Sequence, residues 1–125
     1  MRSDDPEYVN RMIREDRISG SSVTIVLCGA ETWKRKYVDW EIRSTLAMEH
    51  GLLGIVLPGA YTGLLSFLSI PTVPDRLAAN SFYSEKIDWT EDASTLKAAI
   101  ERAYQNSQHY PSLIDNSAPK MTRNR

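Results

Sequence analysis

Ser22-Val23-Thr24-Ile25-Val26-Leu27-Cys28 is the stretch on which the fold turns. It is almost continuously apolar and rich in β-branched residues, the composition of a strand covered on both faces, as in a parallel sheet. A second such run, Leu52-Leu53-Gly54-Ile55-Val56-Leu57, stops at Pro58-Gly59. From Tyr37 to His50, between the two runs, Val38, Ile42 and Leu46 recur at i+4 steps, and Gly51 stands where such a helix would stop. Strand, helix and strand within about 36 residues make a βαβ unit with a right-handed crossover.

Outward from this unit the signals thin. Upstream, Asp5-Pro6-Glu7 predicts a helix start, with Asp5 as the cap, Pro6 at the first helical position and Glu7 at the positive end of the dipole. Val9, Met12 and Ile13 then share one face, Arg11, Arg14 and Arg17 stay in water, and the helix is expected to stop near Ser19-Gly20. Downstream, Leu64, Leu65, Phe67, Leu68 and Ile70 predict a short packed turn or helix before Pro71 and Pro74. Lys86-Ile87-Asp88-Trp89 is half polar, as a short edge strand would be. Thr90-Glu91-Asp92 opens a last helix whose buried stripe is Leu96, Ile100, Ala103 and Tyr104. From Gln105 onward Asn, Ser, Pro and basic residues predict a frayed tail, so the domain is set at 1–106 and a polar, flexible tail at 107–125.

Composition narrows the functions. The 125 residues fit one domain. A formal charge of -1 gives no net pull towards nucleic acid or an anionic membrane surface. One cysteine, Cys28, excludes an internal disulfide and a thiolate pair for zinc, and no metal site is expected. The polar amino terminus has no signal-peptide core, and no apolar run approaches the ~20 residues of a membrane span, so a cytoplasmic protein is expected. GxGxxG, Walker A, HExxH and GxSxG patterns are all absent. His50 suits the negative end of a helix dipole, His109 falls in the tail, and Cys28 closes a buried strand as a small hydrophobe.

Chemistry concentrates in the segment that leaves the first strand, Gly29-Ala30-Glu31-Thr32-Trp33-Lys34-Arg35-Lys36-Tyr37-Val38-Asp39-Trp40-Glu41. Open α/β sheets bind ligands beyond the carboxyl ends of their strands. Glu41 lies one turn after Tyr37, beside the Val38/Ile42/Leu46 stripe, where partial desolvation can tune a carboxylate. Spacing alone equally allows a plainer role, with Glu41 paired to a nearby cation and Trp33 and Trp40 as packing.

The run Ser21–Leu27, then Trp33-Lys34-Arg35-Lys36-Tyr37-Val38-Asp39-Trp40-Glu41-Ile42, resembles the TIR-like domain family of Thoeris antiphage defence proteins. Gly51-Leu52-Leu53-Gly54-Ile55, Pro74-Asp75-Arg76-Leu77-Ala78-Ala79-Asn80, Ile87-Asp88-Trp89 and Asp115-Asn116-Ser117 with its basic end extend the likeness from about Asp5 onwards. The resemblance implies an α/β fold: part of a flavodoxin-like, mostly parallel sheet of about three strands with helices on both faces. It implies that Glu41 takes the place of the catalytic glutamate in the TIR Trp-Cys-x-x-Glu helix, with Tyr37 and Val38 in the Trp and Cys positions. Trp33, Lys34, Tyr37 and Trp40 become contacts to base, phosphate or ribose. The implied activity is cleavage of the nicotinamide–ribose bond of NAD, a substrate rather than a cofactor, giving an ADP-ribose-derived signal for a separate effector protein.

The family's first strand and helix have no counterpart ahead of Ser22, so the chain is expected to correspond to the carboxyl-terminal portion of the domain. That leaves Ser22–Cys28 at a sheet edge. A poorly folding fragment, a second chain supplying the missing strands and an autonomous small module are the alternatives, with homo-oligomeric pairing at that edge the favoured expectation. The other functional classes it opens are a non-catalytic assembly module and a small nucleotide-binding regulator without catalysis.

Overall fold

The computed structural model describes residues 17–18, 21–61, 68 and 70–125. Four strands form one sheet in the order β1 (Arg17–Ile18), β2 (Ser21–Cys28), β3 (Gly51–Val56), β4 (Glu85–Asp88). β2, β3 and β4 run parallel, with Val23 opposite Gly51, Cys28 opposite Val56 and Ile55 opposite Ile87. The helices are α1 (Lys36–Ala47), α2 (Asp75–Ala79) and α3 (Ala93–His109). The expected βαβ unit is β2-α1-β3, and the expected edge strand is β4.

Strand alternation sorts the core into two layers. Val26, Cys28 and Leu52 face Val38, Ile42 and Leu46 of α1, with Leu77 of α2 and Tyr83 joining them. Val23, Leu53 and Ile55 face Ala99 and Ala103 of α3, flanked by Leu96, Ile100 and Tyr104. Helices therefore cover both faces, and β3 is buried along all six residues, which is why its sequence does not alternate. Gly51 is forced by α3: a Cβ there would come within 2.9 Å of both the Ala103 carbonyl and Val23 Cγ2.

Gly51 is not the helix stop, however. α1 ends at Ala47, four residues earlier, in a Schellman arrangement, the His50 N–H donating to Thr45 O and the Glu49 N–H to Leu46 O. The left-handed position falls to Glu49, with φ 55°.

The helix expected from Asp5 lies outside the described residues, but its expected last turn does not form. Arg17 and Ile18 instead pair antiparallel with Ser22 and Ser21. Only two residues, Ser19-Gly20, separate the paired strands, a loop length that favours a hairpin over a helix end. Of the expected Leu64–Ile70 packed segment, Leu64, Leu65 and Phe67 lie outside the described residues, and Leu68 and Ile70 are exposed rather than packed.

The carboxyl-terminal tail also differs from the expectation. α3 runs on to His109, and after a single 3-10 turn at Pro111–Leu113 the chain folds back along α1 and α2. Asn80 holds it at both ends of its amide, accepting from the Asp115 N–H at 2.7 Å and donating to Asp115 O at 2.8 Å. The polarity that suggested fraying is the polarity of these docking bonds.

Candidate active site

The loop after β2 is set by Thr32, whose hydroxyl accepts the Gly29 N–H at 2.9 Å and donates to Leu27 O at 3.1 Å. A 3-10 turn, Thr32–Lys34, then delivers the chain to the first turn of α1. α1 thus starts beyond the carboxyl end of β2, where open α/β sheets bind ligands.

Glu41 is half-buried on α1, and its Oε2 is enclosed by protein. One turn later Thr45 is buried, its hydroxyl bonded to Glu41 O at 2.8 Å and to the Thr24 hydroxyl of β2 at 2.7 Å. Glu41 therefore occupies the side of α1 that looks towards β2. Tyr37, one turn earlier, shares that side and meets Trp40 edge-on, with ring centroids 5.0 Å apart.

The other candidates are engaged elsewhere. Trp33 lines a cavity of about 140 Å³ with Asp39, Arg76, Pro119 and Met121. Lys34 is ion-paired with Glu31 at 3.2 Å. The Trp40 indole N–H donates to Met121 O at 2.7 Å, and the Lys120 ammonium lies 4.5 Å from its ring centroid. Four of the five residues thus fall into two groups, Tyr37 and Glu41 towards β2 and Trp33 and Trp40 against the tail, while Lys34 stays with Glu31.

The sequence reading missed the strongest polar cluster, Asp39 with Arg76. Both are buried; Arg76 Nε donates to Asp39 Oδ1 at 2.8 Å, and Nη2 reaches Oδ2 at 3.4 Å. Arg76 also donates to Asn116 Oδ1 and Pro119 O, and the Met121 N–H donates to Asp39 Oδ2 at 2.9 Å. Two segments singled out separately in the sequence, Pro74–Asn80 and Asp115–Ser117, are each other's partners here. Only that joint recurrence, an Arg and Asn in one and Asp-Asn in the other, could have signalled it.

Cys28 stands as a small core hydrophobe. Its side chain is wholly buried, and burial pushes the thiol up to about 12, well above the range of a reactive cysteine. Among the described residues, no three His, Cys, Asp or Glu side chains are grouped to hold a metal ion. No helix among them is long and apolar enough to cross a membrane.

The parallel α/β sheet with helices on both faces is consistent with a TIR-like, flavodoxin-like class of domain. The family model described as Thoeris protein ThsB, TIR-like domain, matches residues 1–62, a span that contains β1, β2, α1, β3 and all five candidate residues. The amino-terminal part of the chain is thus similar to a TIR-like domain of antiphage defence. No curated protein and no solved structure matches the chain.

Proposed function

We propose that the protein processes NAD, breaking the bond between nicotinamide and ribose. The observation that carries this reading is Glu41, a half-buried carboxylate on the β2 side of the helix that follows the carboxyl end of β2, with Tyr37 one turn before it. When the C1′–N bond breaks, its electron pair leaves with neutral nicotinamide, and positive charge develops on the ribose. A carboxylate held out of bulk water stabilises that charge or fixes the ribose hydroxyls. Water, or a nucleophilic atom of the same ADP-ribose, then adds at C1′ with loss of a proton, giving a hydrolysed or cyclised product. That product would signal to a separate effector in the cytoplasm. Tyr37 is the contact best placed to accompany Glu41. Trp33, Lys34 and Trp40 would act through the shape of the loop.

The test is incubation of the purified chain with NAD while nicotinamide release is followed over a range of protein concentrations. Release is expected from the wild type and its loss from Glu41→Gln, with the thermal transition of the variant recorded alongside. Release at the same rate from both, or none from the wild type at any concentration, removes the proposal.

A second reading has its own observation. β1 covers β2 only at Ser21 and Ser22, and among the described residues no strand flanks Val23–Cys28 opposite β3. A second copy of the chain pairing at that edge would make the protein an assembly module. A strictly monomeric mass across the same concentration range counts against it.

A further inference from the structure

β4 closes the sheet on the side away from β2, and among the described residues no strand lies beyond it. The Trp89 N–H donates to Val56 O, so residues 85, 87 and 89 direct their main-chain groups to β3. Lys86 and Asp88 therefore turn their N–H and C=O groups outward, and both residues are exposed. No hydrogen bond among the described residues engages those outer groups. An aromatic side chain stands at each end of this open edge, Phe82 at 85% exposure and Trp89 at 49%. Large apolar groups left in water beside unpaired main chain mark a surface that pairs with another strand.

The charges choose the partner. Pairing through a two-fold axis runs the strands antiparallel, and outward groups must meet outward groups. That leaves registers centred on Lys86, on Ile87 or on Asp88. The first and last set Lys86 against Lys86 or Asp88 against Asp88, like charges directly opposite. Centring on Ile87 sets Lys86 of each copy opposite Asp88 of the other, each pair exchanging its main-chain bonds. Internal partners do not compete for these charges. Lys86 has no ion pair among the described residues, and Asp88 accepts the Tyr61 hydroxyl at Oδ1, which leaves Oδ2 for an ammonium. A lysine on an edge ordinarily repels pairing. Here it does so against other strands but not against a second copy.

We propose that β4 is a self-recognition edge: two copies of the chain join antiparallel about Ile87, continuing the sheet across both. The same two-fold carries Phe82 of one copy towards the Trp89 end of the other's strand. Each paired strand is 4 residues long, so the dimer is weak, with a dissociation constant of roughly 10–100 µM. This edge lies opposite the β2 edge, and pairing here needs neither Glu41 nor NAD.

Sedimentation equilibrium of the full chain, without NAD, tests it. The wild type is expected to move towards twice the chain mass as concentration rises through that range. Lys86→Asp and Asp88→Lys, each at an exposed position, should weaken association about tenfold or more while keeping the thermal transition. Mixed in equal amounts, the two variants should recover it, because one edge is then wholly acidic and the other wholly basic. Pairing at β2 would be indifferent to both substitutions. If Asp88→Lys, which gives up the Tyr61 bond, loosens the fold, Lys86→Asp alone decides the matter. A wild type that stays monomeric to about 1 mM, variants that associate as the wild type does, or a mixture of folded variants that stays apart would each overturn the proposal.

Discussion

The two flanks of α1 use a carboxylate in opposite ways. On one, Asp39 is locked: Arg76 and the Met121 N–H bond it, and the tail covers it. On the other, two residues along the same helix, Glu41 looks towards β2. Both residues sit at the border of the same apolar stripe. What distinguishes them is the segment that packs on each flank, which no local periodicity records. A carboxylate's role here is decided by a partner dozens of residues away.

The largest expected effect breaks the locked flank. Arg76→Met leaves Asp39 buried without its cation and should cost about 3–5 kcal/mol, read from urea unfolding. Should the loss fall below about 1 kcal/mol, the flank is not held by that pair.

High pH should act next, on the core layer that joins the flanks. Burial raises the Cys28 thiol from 9.0 to about 12 and the Tyr83 hydroxyl from 10.0 to about 12. The folded state therefore keeps its protons where the unfolded chain loses them. Stability is full below about pH 9 and falls as pH rises towards 12. Cys28→Ala should flatten the first part of that decline, and an unchanged slope would show that the thiol is not its source.

On the β2 side, Thr45→Val strands the buried Thr24 hydroxyl and should cost about 1–3 kcal/mol. Against the tail, Trp40→Phe removes the indole bond to Met121 and should cost about 1 kcal/mol. Faster proteolytic cleavage near Met121 in that variant is the accompanying readout. The smallest effect is a gain: Glu49→Gly relieves a left-handed residue at the end of α1 and should add a little under 1 kcal/mol of stability.

Much of the scaffold was legible in the sequence because its causes are local. Two unbroken β-branched runs and an i+4 stripe place β2, α1 and β3, and Ile87-Asp88 flanked by an acidic cap places β4 and α3. Arg17-Ile18 and the end of α1 were misread because hairpin and stop depend on pairing and on Glu49, not on the nearest glycine. The candidate site was legible as a segment but not as a geometry. Tyr37, Trp40 and Glu41 are close in sequence, yet the tail binds the Trp40 indole while its ring keeps edge contact with Tyr37. The Asp39–Arg76 pair stayed hidden because its parts are scattered over three segments that meet only in the folded chain.

The bond from the Met121 N–H to Asp39 joins residues 82 apart in sequence, and that from Lys36 to Asn124 joins residues 88 apart. Contacts of such separation form only after the nearer β2-β3 pairing has shortened the path between them. The tail is thus a late arrival, latching onto a crossover unit that has already assembled. Weakening it should leave the refolding rate nearly untouched and speed unfolding, so the clasp governs how long the native protein lasts once made.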